Sequence, residues 1–171
     1  MKDEVARSAV AIGDDDRMRA LLEETCRLTG MGFAAVAYVS EERWIACQID
    51  DRINFGLQPG DELEVRKTIC DEIRDRGQAV LIDDVHNNPD WWNHPEPVLY
   101  GFRSYVSLPI FIDGQFFGTL CAIDPEPRST ALTEIRERLE ALADQAMRII
   151  AERLALKPGL PLTGANLTTP G

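Results

Sequence analysis

Between positions 100 and 124, two runs rich in β-branched and aromatic residues flank the pair Asp113-Gly114. Such a pair adopts the left-handed backbone of a two-residue turn whose twist matches two antiparallel strands, so a tight hairpin is the firmest local commitment in the chain. Its strands are expected at 103–112 and 115–123, with the Asp-Gly pair serving as a turn and not as a site. Gly118, in mid-strand, is expected to admit close approach by the long terminal helix.

The rest of the chain arranges itself around that hairpin. Asp14, Asp15 and Asp16 supply capping carboxylates for a helix running to about Thr29, with Gly30 as its stop. Its apolar stripe is Met18, Leu21, Leu22, Cys26 and Leu28. A largely buried strand follows at 33–39, then a polar turn and a partner strand at 44–49. Simple alternation puts Trp44, Ala46 and Gln48 on one face and Ile45, Cys47 and Ile49 on the other. Positions 50–63 read as loop. A short amphipathic helix is expected at 65–76, with Ile69, Cys70 and Ile73 inward, and a brief strand at 79–82. The segment 83–97 is irregular and carries His86, Asn87, Asn88, Trp91, Trp92 and His94; a single helical turn at 97–101 leads into the hairpin.

A long helix is expected from Ser129 or Thr130 to about 156. Leu132, Ile135, Leu139, Leu142, Ala146 and Ile149 step by alternating 3 and 4 residues, as a heptad seam does. A second stripe, Ala143, Met147, Ile150 and Leu154, lies beside it. Two arrangements follow: one stripe on the sheet and the other on a partner helix, or one wide buried face. The division is an extension at 1–11, a domain at 12–156 and a flexible tail or linker at 157–171. The element order gives an α+β layered domain.

Bulk composition narrows the function. The 171 residues suit one domain with a single sizeable core. Eighteen basic against twenty-nine acidic side chains give a formal charge of −11, a field that repels nucleic acid. No apolar run approaches the roughly 20 residues of a membrane helix, and the N-terminus lacks a signal-peptide core, so the chain is expected in the cytoplasm without membrane contact. Cys26, Cys47, Cys70 and Cys121 are widely spaced and expected as free thiols.

Four stretches together resemble the GAF domain family, and within it the sensor domains of bacterial two-component histidine kinases. They are 25–33 (TCRLTGMGF), 44–47 (WIAC), 68–73 (TICDEI) and the hairpin. The resemblance covers about residues 12–155. It implies a central antiparallel sheet of five to six strands with helices on both faces, and a pocket between sheet and inner helix roofed by the irregular segment. On this chain that pocket is framed by Trp44, Cys70, Asp71, Trp91, Trp92, His94, Tyr100, Phe102 and Tyr105. Aromatic walls with a few polar groups are the usual make-up of a ligand site, and the alternative is that these rings simply pack the loop onto the body. The kinase modules themselves are missing.

Other chemistries receive less support. Bilin-binding relatives place a Cys-His pair just before the hairpin, where this chain has Trp92 and Asn93, so no covalent bilin is expected and the cofactor is unknown. His86, His94, Asp83, Asp84 and Asp90 cluster in sequence, but no pair has the i,i+4 spacing of a helical metal site, and no metal is assigned. Free methionine-(R)-sulfoxide reductases share the fold, and Cys70 falls near one cysteine of their pattern. Their partner cysteines are absent, which leaves a sulfenate without a resolving thiol. No catalytic residue is assigned. The expectation is therefore a small-molecule sensor signalling through its terminal helices to a homodimer partner, across the 130–156 helix, or to a downstream domain or kinase. A ligand-free dimerisation module is the alternative, and the reductase a third.

Overall fold

The computed structural model describes residues 3–64, 73, 76–94, 97, 100–128 and 131–156. Six strands form one antiparallel sheet: β1 (Phe33–Val39), β2 (Trp44–Asp51), β3 (Glu62–Leu63), β4 (Val80–Ile82), β5 (Ser104–Ile112) and β6 (Gln115–Asp124). Their order is β3-β2-β1-β6-β5-β4. The hairpins β1–β2 and β5–β6 stand side by side at the centre through β1–β6 pairing. Each then carries one edge strand of two or three residues, too short to invite pairing with another chain. β3 lies within the stretch read from sequence as loop. Asp113 and Gly114 both take positive φ, 50° and 79°, and close the β5–β6 hairpin with the expected two-residue turn.

Three helices, α1 (Glu4–Gly13), α2 (Asp16–Thr29) and α3 (Arg136–Leu156), pack on one face of this sheet. α2 starts at Asp15, whose carboxylate accepts the Arg17 amide at 2.8 Å, and ends at Gly30 in the left-handed conformation. α1 was not anticipated, because residues 1–11 read as an extension. Its signal was present: Asp3 caps it by accepting the Ala6 amide, and Ala6, Ala9 and Ile12 recur at helical spacing and are buried. A 3-10 turn, Leu132–Ile135, leads into α3. No helix among the described residues is long and apolar enough to cross a membrane.

Both stripes of α3 are buried by the chain itself. Leu139, Leu142, Ala146 and Ile149 join Ala143, Ile150 and Leu154 in one cluster with α1, α2 and the sheet. The single wide face is therefore the arrangement found, and the two-stripe argument for a partner helix does not hold. The reason is geometric: α3 touches β5 and β6 below and α1 and α2 beside it, so more than one stripe is needed. Each large aliphatic side chain in this layer contributes about 1.5–3 kcal/mol by burial, whereas an exposed pair such as Arg136–Glu140 contributes about 0.3–0.5 kcal/mol. The packing, not the surface charge, holds α3 in place.

Two readings of the strands need correction. β1 pairs Val36 with Gln48 and then Ala37 with Ala46, so Cys47 bulges out of the ladder. Trp44 and Ala46 do face away from Ile45 and Cys47, but beyond the bulge the alternation inverts. The Gln48 amide donates to the Gly13 carbonyl on the helical side, and Ile49 packs on the opposite side. Gly118 accommodates a strand and not a helix: a Cβ there would overlap the Ala37 carbonyl of β1.

Candidate functional site

The second face of the sheet is built differently. Down its centre, strand pairing sets Ala35 beside Cys121, Cys121 beside Ser107, and Ala37 beside Thr119. These side chains are small or polar and all are buried. Larger rings flank them: Phe33 on β1 and Tyr105 on β5, both beside Ile123 of β6, Trp44 on β2 beside Val39 at the other end of β1, and Phe102 from the segment before β5. Phe102 stacks on Tyr105 with ring centroids 5.2 Å apart.

These rings enclose a hollow of about 20 Å³, lined by Phe33, Trp44, Phe55, Leu63, Tyr100, Phe102, Tyr105, Cys121 and Ile123. That volume admits about one water molecule and no metabolite. Immediately outside it lies an open cleft of about 460 Å³, between the β2–β3 loop and the approach to β5. Phe55, Leu63, Tyr100, Phe102 and Ile123 belong to both walls. The cleft has a ligand's dimensions and the hollow does not.

A single carboxylate shapes the loop between them. Asp51 accepts the amides of Ile53 at 3.2 Å, Phe55 at 2.9 Å and Gly56 at 2.9 Å. Asn54 takes φ 58° and Gly56 φ 103°, so the chain folds back and delivers Phe55 to the sheet. Its ring sits between Phe33, at 4.9 Å, and Tyr100, at 5.9 Å. Across the site, Arg103 grips Asp84 with two hydrogen bonds of 3.1 and 2.7 Å and holds that carboxyl below its usual range. Asp84 in turn caps the 3-10 turn Val85–Asn87, so the start of the irregular segment is pinned to β5.

Of the residues proposed from sequence, Trp44, Tyr100, Phe102 and Tyr105 meet around the hollow. Trp91 is buried elsewhere on the same face, in a recess of about 40 Å³ with Ile73 and Val80, and packs against the His94 ring at 5.3 Å. Trp92 is 59% exposed and lines neither cavity. Cys70 and Asp71 lie outside the described residues, as does most of the helix expected around them. Phe33, Phe55, Leu63, Cys121 and Ile123 were not anticipated. Strand register carries three of them, because Phe33 pairs with Ile123 and Ile123 with Tyr105. Phe55 and Leu63 had no periodic signal.

The thiols that can be located are poor nucleophiles where burial is complete. Cys47 lies on the helical face, where desolvation pushes its pKa up to about 12, and Cys26 is raised to about 12 chiefly by the same cause. Asp83, grouped earlier with the histidines, is occupied structurally: its carboxylate accepts the Leu132 amide at 2.8 Å.

Comparison with known proteins agrees with this architecture. The sequence model of the GAF domain family matches residues 15–150. No match is found among curated proteins. Among solved structures, the GAF domain of an Acinetobacter phosphoenolpyruvate-protein phosphotransferase superposes with a TM-score of 0.64 at 14% identity, covering 90% of this chain and 94% of that one. The GAF domain of a two-component sensor histidine kinase from Bacillus halodurans gives 0.61 at 15% identity, covering 84% and 96%. The type II free methionine-R-sulfoxide reductase from Thermoplasma acidophilum gives 0.61 at 13% identity, covering 86% and 96%. A sensor domain and an enzyme fit this backbone equally well, so these likenesses establish the fold alone.

Proposed function

The chain belongs to the GAF domain family, and on that premise we propose that it is a regulatory domain that senses a small molecule on the second face of the sheet. One observation carries the reading. β5 and β6 present Tyr105, Cys121 and Ile123 to the hollow while Val106, Leu108, Leu120 and Ala122, at alternate positions, pack in the layer that contains α3. A ligand that shifts these strands therefore changes what α3 packs against. It biases α3 only by its differential affinity for two packings, and a downstream domain or a second copy reads the outcome. The neighbour from Bacillus halodurans is a domain of a two-component sensor histidine kinase, and a like role is proposed here by analogy of fold.

Equilibrium dialysis against metabolite pools, followed by thermal melting with each retained compound, tests this directly. A sensor retains at least one compound and melts at a higher temperature with it. Retention of nothing, with an unchanged melting temperature, contradicts the reading.

A second reading is favoured by the inner volume. About 20 Å³ is what a collapsed pocket leaves, and a ligand-free module that only assembles with another chain would look the same from inside. Because both α3 stripes are buried, its interface would use a surface other than that seam. Sedimentation separates the two: a constitutive dimer that retains no compound supports assembly alone.

A further inference from the structure

The hollow and the cleft share a wall in which one residue, Phe55, comes from a loop. Leu63 and Ile123 of the shared wall lie on β3 and β6, whereas Phe55 hangs from the β2–β3 loop, flanked by left-handed residues at 54 and 56. Its ring fills the gap between Phe33 on the floor and Tyr100 at the mouth. Backbone amides on both sides of the ring, those of Ile53, Phe55 and Gly56, are held by the Asp51 carboxylate, so the loop has an anchor separate from the packing of the Phe55 ring.

The walls also specify a chemistry. In a chain with 27% charged residues and a net charge of −11, no charged side chain lines the cleft among the described residues. The polar side chains among them are Asn54 and Tyr100. Asp51 and Asp124 flank the lining residues Ile53 and Ile123 in sequence, and Arg52, the adjacent cation, is engaged by Asp50 at 3.1 Å. A carboxylate or phosphate would lose its hydration on entering and would find no counter-charge among the described residues of these walls.

We propose that this cleft is the ligand entrance, that Phe55 is a displaceable plug, and that the ligand is a neutral, flat aromatic molecule whose ring takes the plug's seat between Phe33 and Tyr100. Displacing the plug joins the cleft to the hollow beneath it and places the ligand against Tyr105 and Cys121 on β5 and β6. This rests on the reading that the second face holds a ligand, and not on α3 reporting it. A ring of the plug's own size is already known to fit, because Phe55 occupies the seat. Aromatic pairing then favours an aromatic over an aliphatic guest of equal area.

The test uses the full chain with two probes, fluorobenzene and 4-fluorobenzoate, read by fluorine NMR. Phe55→Ala vacates the seat, and fluorobenzene is expected to bind this variant about tenfold tighter than the parent, while 4-fluorobenzoate binds neither. Magnetisation transfer from bound fluorobenzene should reach the Phe33 and Tyr100 rings. If Phe55→Ala loses cooperative melting, Phe55→Leu, which keeps the bulk and removes the ring, is titrated instead and should show a smaller gain of the same sign. A folded variant with no gain for fluorobenzene, equal binding of the benzoate, or transfer to rings other than these overturns the proposal. Failure here alongside a retained metabolite leaves sensing intact and removes only the plug and ligand class. Success here, with no metabolite retained and no effect on α3, removes sensing and leaves the site.

Discussion

The two faces of the sheet are made by the same strands and filled in opposite ways. On the helical face β5 sends Val106, Leu108, Ile110 and Ile112 into a continuous aliphatic layer with Met18, Leu22, Leu139 and Ile150. On the other face its alternate residues include Tyr105 and Ser107, next to Cys121 and Thr119 on β6, and aromatic rings bridge over a hollow. Branched aliphatic chains interdigitate and leave little space. Small residues overlaid by aromatic rings, with Ile73, Ile82, Val85 and Trp91 in the same cluster, leave a small hollow beside an open cleft. On the proposed function, the first face supplies stability and the second recognition.

Breaking the solid face should have the largest effect. Leu139 is fully buried between helix and sheet, and Leu139→Ala is expected to destabilise by about 2–5 kcal/mol, measured by urea unfolding. A loss under about 1 kcal/mol would mean that α3 is held less tightly than its burial states. Gly118→Ala comes next: the added methyl meets the β1 backbone, which cannot move aside as a side chain would. A cost of about 1–3 kcal/mol is expected from the same measurement. On the hollow face, Ile123→Val should cost about 0.5–1.5 kcal/mol, towards the lower end because a recess already adjoins it. If it exceeds Gly118→Ala, the faces are not different in the sense argued here.

The smallest effect is a pH dependence on the helical side. Arg17, by hydrogen bonding, holds the Asp15 carboxyl down to about 2 from its usual 3.8. A carboxyl whose folded value lies below its unfolded one stabilises the fold above about pH 4, and that contribution is lost as pH falls towards 2. Asp15→Asn keeps an acceptor for the Arg17 amide but removes the charge. Its stability should therefore depend less steeply on pH across that window than the parent's, by urea midpoints at successive pH values. Identical slopes would remove Asp15 from the acid response.

How much of this was legible in the sequence follows from which forces leave a local trace. The hairpin was legible because Asp113-Gly114 has few alternatives, and α2 because Asp15 and Gly30 mark its ends. α1 was passed over although Asp3 and its three-residue spacing mark it as well. The Cys47 bulge inverted a face assignment because an inserted residue leaves no signature in an alternating pattern. Rings on strands or beside them, such as Trp44, Tyr105 and Phe102, were found. Phe55 was missed because a turn folded by one carboxylate, not a periodicity, brings it to the site. Trp92 was included as an aromatic wall of the pocket that the resemblance implied, and the fold turns it to solvent.

On the proposed function, occupancy of the hollow face is felt across the sheet by α3. Amide hydrogen exchange over residues 136–156, with and without a compound retained in dialysis, measures that coupling directly. The account predicts exchange rates in α3 that change on binding together with those of β5 and β6. Protection confined to the 52–57 loop and the 100–102 approach, with α3 exchanging at its unliganded rate, would contradict it.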